Sequence, residues 1–163
     1  MKRTKAFIFV VASLSVFSAT SLGLGPSSQQ PITLQEKTAK ADLIVVGKVT
    51  DVKSRWTEPK TIPSTFVSVS IEEGVKGYLT SSEITIEVPG GSDGKVLSIV
   101  LGMPEFHKGE RVLLFLIHDL HSDKYYLVHG GYGKYRVGPD NEMADMSKTL
   151  PEFLSEIRQY ISK

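Results

Sequence analysis

Residues 43–52 read Leu-Ile-Val-Val-Gly-Lys-Val-Thr-Asp-Val, and this stretch decides the fold class. β-Branched residues dominate it, and Val45, Gly47 and Val49 alternate so that they share one face. A glycine in the middle of such a stretch predicts a β-bulge or a sharp coil, which closed sheets need in order to turn a corner. The stretch therefore predicts a strand of a strongly curved sheet.

The same pattern of short strands continues downstream. Further strands are predicted at 65–71, 83–88, 96–100, 111–117, 125–128 and 134–137. The run 111–117 is continuously apolar and predicts the most buried strand, residues 72–78 predict a turn, and 83–101 predict a β-hairpin. Six to seven short strands at regular spacing predict an all-β domain, a small antiparallel barrel that is closed or nearly closed. A β-sandwich is the alternative.

Helices are predicted only at the two margins of this region. Each begins at a capping box, Thr33 with Glu36 and Thr149 with Glu152. The first pattern predicts a short helix over 34–40. The second predicts an amphipathic C-terminal helix over 149–162, whose apolar residues fall on one face and should pack on the barrel or cover one end of it.

The N-terminus has the order of residues that is typical of a signal peptide. Basic residues between Lys2 and Lys5 precede an apolar run over 6–17, and small residues follow at 18–21. We expect cleavage after Ser21, with Ser18 as a rival position. The alternative is an uncleaved membrane anchor, but the run is shorter than the roughly 20 residues that a membrane span needs. The predicted organisation is a signal peptide at 1–21, a linker at 22–32 and one domain at 33–163, in a secreted or extracytoplasmic protein of the periplasm or cell surface.

Charge and cysteine content narrow the function classes. Cleavage at Ser21 would lower the 19 basic residues to 16 against 18 acidic ones, a net charge of −2 with histidine neutral. A slightly acidic chain is a poor partner for nucleic acid, so no nucleic-acid partner is predicted. The chain has no cysteine, which excludes disulfides, thiolate metal sites and a cysteine nucleophile.

Four segments together resemble a known group of proteins. They are 41–49 (ADLIVVGKV), 88–91 (VPGG), 102–116 (GMPEFHKGERVLLFL) and 131–137 (GYGKYRV). Their order resembles that of small exported microbial proteins of unassigned function, which look like the tissue-inhibitor-of-metalloproteinase and netrin-module (NTR-like) type of OB-fold barrel. The resemblance covers about residues 41–137. It implies an OB-like barrel and a role as a metalloprotease inhibitor or a protease-associated protein. The animal inhibitors place an N-terminal cysteine on the catalytic zinc, and that contact cannot be carried over to this chain.

One segment formally matches a catalytic motif. Gly90-x-Ser92-x-Gly94 has the spacing of a nucleophile elbow, which needs a strand before it and a helix after it. Here a predicted strand follows, so the pattern predicts a glycine-rich hairpin turn. No catalytic residue is predicted.

A second segment carries ligands that zinc prefers. His118 and His121 are flanked by Asp119 and Asp123, and two imidazoles with a carboxylate could bind the metal of a small hydrolase. The histidines lie in a predicted hairpin loop rather than on one face of a helix, and no glutamate is placed to activate water as in HExxH sites. The pattern favours a solvated polar turn, and no metal or cofactor is predicted.

The remaining candidates are contact residues on loops. A rigid barrel with variable loops predicts binding through 53–63, 89–95 and 102–109. Trp56 is the main anchor, because exposed tryptophan is enriched at binding hot spots; the other candidates are Arg55, Phe106 and Tyr132. The predicted function is an exported non-enzymatic module that binds an extracytoplasmic protein, with a metalloprotease as the partner that the resemblance implies. Besides the hydrolase, the alternative is an oligosaccharide-binding OB barrel that uses aromatic side chains.

Overall fold

The computed structural model describes residues 32–57 and 62–162, which contain eight strands and two helices. In chain order these are α1 (Leu34–Lys40), β1 (Leu43–Trp56), β2 (Pro63–Lys76), β3 (Glu83–Pro89), β4 (Gly91–Ser92), β5 (Leu97–Ser98), β6 (Arg111–Asp119), β7 (Lys124–Leu127), β8 (Lys134–Arg136) and α2 (Leu150–Ile161). A 3-10 turn, Gly130–Gly133, lies between β7 and β8. The predicted signal peptide and all but the last residue of the predicted linker lie outside the described residues.

Five of the strands close in a ring. β1 pairs with β2 on one side and with β6 on the other, and β3 and β7 complete the circuit between β2 and β6. β8 pairs with residues 112–114 of β6, next to the part of β6 that pairs with β7. The prediction of a purely antiparallel sheet was wrong at one point: β3 and β7 are parallel where Ile86 lies beside Tyr125.

The glycine in β1 marks a bulge, as predicted. The register between β1 and β2 shifts between Val46 and Gly47, where the strand also pairs with β6. A Cβ on Gly47 would lie 2.5 Å from the carbonyl oxygen of Ser70. The missing side chain therefore lets β2 approach closely enough for the sheet to curve.

Two predicted turns differ from the structure. Residues 72–76 continue β2, since they pair with the start of β1, and the turn begins at Gly77 with a φ of 88°. The predicted hairpin over 83–101 is absent, because Gly90 and Gly91 have φ values of 97° and 135° and redirect the chain after β3. β4 then pairs with β5 in a separate two-stranded sheet.

The apolar residues form two clusters on opposite faces of β1 and β6. One cluster takes side chains from all five ring strands, among them Val45, Val67, Ile86, Leu114 and Leu127. The other joins the opposite face to the two helices; its members include Ile44, Leu113, Phe115, Phe153 and Ile157. β6 is buried on both faces, which explains its continuous apolar run.

Both helices are confirmed at the predicted positions. Each has the capping box at its first turn, with Thr33 and Thr149 as the N-caps. α2 buries Leu150, Phe153, Leu154 and Ile157 on the predicted face. Within the described residues, neither helix has the length and apolar character that a bilayer crossing requires.

Candidate binding surface

β5 and the loop that follows it expose apolar side chains on a stretch without charge. Residues 96–104 read VLSIVLGMP and contain no charged residue. Leu97, Ile99 and Leu101 are 70%, 77% and 93% exposed. The tip of the loop contacts the 3-10 turn, where the N–H of Gly131 donates to the carbonyl oxygen of Gly102 at 2.7 Å. The exposed ring of Tyr132 extends from that turn.

We call Leu97, Ile99, Leu101 and Tyr132 the apolar loop surface. Single exposed leucines are normal on soluble proteins, but apolar side chains grouped on one loop mark sites of interaction. A groove of about 270 Å³ lies beside them. Its apolar lining includes Val52, Val88, Val100, Met103 and Phe106, and Leu97 and Ile99 form part of its wall. The exposed aliphatic side chains therefore lie beside a groove of mixed lining, since Ser54, Thr65, Glu105 and His107 also line it.

Two glycines place the β4–β5 sheet beside the ring. The hydroxyl of Thr65 in β2 donates to the carbonyl oxygen of Gly90 at 2.7 Å. A Cβ on Gly91 would lie 2.3 Å from Thr65 Oγ1 and 2.4 Å from Ser54 Oγ. Only a residue without a side chain fits where the chain crosses these hydroxyls, so the Pro-Gly-Gly segment determines where the loop begins.

Asp93 organises the turn between β4 and β5. Its Oδ1 accepts from the N–H groups of Lys95 at 2.9 Å and Val96 at 2.7 Å. Its Oδ2 accepts from Trp56 Nε1 at 2.7 Å. The hydrogen bond from Val96, followed by those from Trp56 and Lys95, lowers the pKa of the Asp93 carboxyl from its ordinary value of 3.8. The indole thus holds the turn that leads into the apolar loop surface.

We expect the fluorescence of Trp56 to report the protonation of Asp93. Because the folded-state pKa is lowered, this contact stabilises the protein fully above the ordinary value and is lost as the pH falls through the folded-state value. Trp56 is the only tryptophan, so its emission should shift to longer wavelength with a midpoint below pH 3.8. Fluorescence titration beside far-ultraviolet circular dichroism measures this. Asp93→Asn is the control, and a midpoint at or above the ordinary value would rule the assignment out.

The structure separates the four predicted contact residues. Tyr132 belongs to the apolar loop surface. Arg55 is exposed and lies with its guanidinium carbon 4.1 Å from the centre of the Phe66 ring. Trp56 is half-buried at the end of β1 and supports the loop rather than forming it. Residues 58–61 of the predicted loop lie outside the described residues.

Phe106, the fourth predicted contact residue, is buried. Its ring is buried in the cluster of the ring strands, with Lys134 Nζ 4.2 Å from its centre. Phe106 also lines the groove beside the apolar loop surface.

Sequence reasoning did not single out Leu97 and Ile99, because 96–100 was predicted as a strand of a core hairpin. A signal was present: Val96 and Val100 alternate with Leu97 and Ile99, so both faces of the segment are apolar. An antiparallel strand that covers a core on one side needs only one apolar face. The second apolar face of residues 96–100 therefore indicates a contact in addition to the core.

The residues considered as metal-ligand candidates form two separate pairs. His118 Nε2 lies 2.8 Å from Asp123 Oδ1, and its ring stacks on Tyr125 with 4.5 Å between centroids. His121 is fully exposed, and its Nδ1 lies 3.6 Å from Asp119 Oδ1. Over 32–57 and 62–162, no group of three histidine or acidic side chains is arranged to hold a metal ion. Ser92 precedes strand β5, and its hydroxyl accepts from the N–H of Gly94 at 3.1 Å as part of the turn.

No protein-family model matches this chain, and no curated protein shows significant similarity to it.

Proposed function

We propose that this protein is an exported, non-enzymatic module that binds another protein through the apolar loop surface. The observation that carries the proposal is the exposure of Leu97, Ile99 and Leu101 on a segment without charge. These side chains expose apolar surface to water. Burying that surface against a partner would contribute about 25 cal/mol of favourable free energy per Å². Apolar side chains without neighbouring charges suit the centre of a protein–protein interface, where charged residues are depleted.

The loop is well supported, which favours binding. Trp56 and Asp93 fix one end of it, and the contact between Gly131 and Gly102 fixes the other. A surface that is held in one conformation loses little conformational entropy when a partner docks. The same rigidity is expected of a recognition loop on a stable scaffold.

We propose further that the ring is an OB-like barrel. β1, β2 and β3 follow one another, and β6 returns by a long connection to lie beside β1, which is the order of a Greek key. β7 then fills the remaining position between β6 and β3. A five-stranded Greek-key barrel is the OB architecture. This order supports the resemblance to the tissue-inhibitor and netrin-module type, from which an extracytoplasmic metalloprotease is the proposed partner.

Export is proposed from the N-terminal pattern over 1–21. A secreted or extracytoplasmic location would bring the apolar loop surface to partners outside the cytoplasm. Binding through aliphatic side chains requires no metal, cofactor or disulfide.

A capture experiment tests the proposed function. The purified protein is immobilised and exposed to the extracytoplasmic fraction of the producing cells, in parallel with Ile99→Asp and Leu120→Asp. Leu120 is 81% exposed in the turn between β6 and β7, so it provides an equally accessible apolar position outside the surface. We expect the wild type and Leu120→Asp to retain the same protein and Ile99→Asp to lose it, because a carboxylate buried at an interface is costly. An identical set of captured proteins for all three baits would contradict the proposal.

The identity of the captured protein tests the partner class separately. A metalloprotease should lose activity when the wild-type module is added and keep it when Ile99→Asp is added. Capture of a protein without protease activity would leave the binding function standing and rule out the metalloprotease.

A further inference from the structure

We infer that a charged cleft beside the start of β6 binds a carboxylate group. The cleft lies between residues 107–111 and the loop 136–144, and Lys48 of β1 and Glu72 of β2 complete its lining. Its volume is about 650 Å³. We call it the basic cleft. This inference concerns a second site and does not depend on the apolar loop surface.

Two cationic residues lie side by side at the basic cleft. Lys48 of β1 is paired with Arg111 of β6 in the register of the sheet. Like charges directly opposite each other on neighbouring strands are destabilising. Glu72 offsets Arg111, with its Oε2 2.6 Å from Arg111 Nε. Among the described residues no carboxylate pairs with Lys48, so the pair leaves one positive charge without a counterion.

The guanidinium of Arg111 is held in one orientation. Its Nε donates to Glu72 Oε2 at 2.6 Å, and its Nη1 donates to Asn141 Oδ1, also at 2.6 Å. A guanidinium has five N–H donors, so these two contacts leave donors over for a ligand. The Arg111 side chain is 30% exposed, which keeps it within reach of the cleft. A planar group that is already oriented loses little side-chain entropy for each further hydrogen bond.

The balance of charge favours a carboxylate over a phosphate. Three basic and two acidic side chains line the cleft, an excess of one positive charge with histidine neutral. Two neighbouring charges cancel each other, since Lys134 pairs with Glu110 and Asp145 pairs with Arg136. A phosphate would bring a charge of about −1.5 to −2 at pH 7 close to Glu72 and Glu110. A carboxylate matches the single excess charge, and its two oxygens fit the fork of an arginine.

Titration of isotope-labelled protein with sodium acetate, followed by nuclear magnetic resonance, tests the inference. Sodium chloride is withdrawn in step, so that the ionic strength stays constant and general screening does not change. We expect saturable shifts of the Arg111 Nε–H and Lys48 backbone N–H signals. The dissociation constant should be about 1 mM, because an ion as small as acetate offers few contacts.

Two lysines of β1 provide the matched variants. Lys48→Glu should raise the dissociation constant for acetate about tenfold or more, because a carboxylate would replace the unpaired ammonium. Lys53→Glu makes the same change of charge outside the cleft, where Lys53 lies 2.6 Å from Asp51, and should leave the constant unchanged. Both lysines are exposed, so neither change should disturb folding.

Three results would overturn the inference. They are shifts that rise linearly with acetate without saturating, a Lys48→Glu variant that binds acetate as tightly as the wild type, and an equal loss of affinity for Lys53→Glu. Inorganic phosphate tests the ligand class in the same way. Tighter binding of phosphate than of acetate would overturn the assignment to a carboxylate.

A carboxylate could come from a free organic acid or from an acidic side chain of the captured protein. The affinity of the captured protein for Lys48→Glu separates these two sources. A loss of affinity assigns the carboxylate to the protein, and an unchanged affinity assigns it to a free acid. Acetate binding is measured without any partner, so failure of the proposed function would leave that result unaffected.

Discussion

Replacing Gly47 with alanine is expected to lower the free energy of unfolding by about 3 kcal/mol or more. The added Cβ would lie 2.5 Å from Ser70 O and 2.7 Å from Val69 Cγ1. β1 is hydrogen-bonded to β2 on one side and to β6 on the other at this point, so it cannot move away from β2 without disturbing β6. The cost therefore comes from breaking strand pairing at the bulge.

Urea denaturation measures this effect, with Gly94→Ala as the matched control. Gly94 has a positive φ of 89°, but an added Cβ would have no atom within 4 Å, so its replacement tests backbone strain without a clash. We expect a loss of about 1 kcal/mol for the control. A loss of unfolding free energy for Gly47→Ala no larger than that for Gly94→Ala would show that the bulge does not require glycine.

Replacing Lys37 with methionine is expected to stabilise the protein by about 2 kcal/mol at pH 7. Lys37 lies in α1 and is only 3% exposed, and among the described residues no carboxylate pairs with it. Its ammonium donates to the hydroxyl of Tyr135 and lies 4.5 Å from the centre of that ring. Burial lowers the pKa of Lys37 from 10.5 to about 8.

The pH dependence follows from the two pKa values. The unfolded chain keeps its proton up to pH 10.5, whereas the folded protein releases it above about pH 8. The buried charge therefore destabilises the fold fully below pH 8, by about 3 kcal/mol at 1.36 kcal/mol per pKa unit, and this penalty disappears as the pH rises to 10.5. Methionine removes the penalty but also the hydrogen bond to Tyr135, worth about 1 kcal/mol.

Denaturation of wild type and Lys37→Met between pH 7 and 10.5 tests this account. The difference in unfolding free energy should favour the variant at pH 7 and reverse sign near the upper limit. Lys40→Met, an exposed position on the same helix, should show neither effect. A variant that is less stable than the wild type at pH 7 would show that the aromatic contacts outweigh the cost of burial.

The helices and several strands could be predicted from the sequence because their signals are local. A capping box and an apolar face mark α1 and α2, and the continuous apolar run marks β6. The glycine at position 47 indicated the bulge, because glycine inside a strand often marks a bulge or the close approach of another backbone. These patterns depend on residues a few positions apart.

The rest depends on contacts between distant residues. The parallel pairing of Ile86 with Tyr125 leaves no local pattern in the sequence. Gly74 suggests a turn in the sequence, but its pairing with Val45 of β1 makes it part of β2. The candidate site was harder still. Leu97 and Ile99 resemble core residues in sequence, but the structure leaves their side chains exposed on a segment that is separate from the ring.

The central claim is that the protein binds its partner through the apolar loop surface, and affinity for the captured partner tests it most directly. Titration calorimetry with wild type, Ile99→Asp and Leu120→Asp should give a dissociation constant at least tenfold higher for Ile99→Asp alone, a difference of about 1.4 kcal/mol or more. Equal constants for all three proteins would contradict the claim.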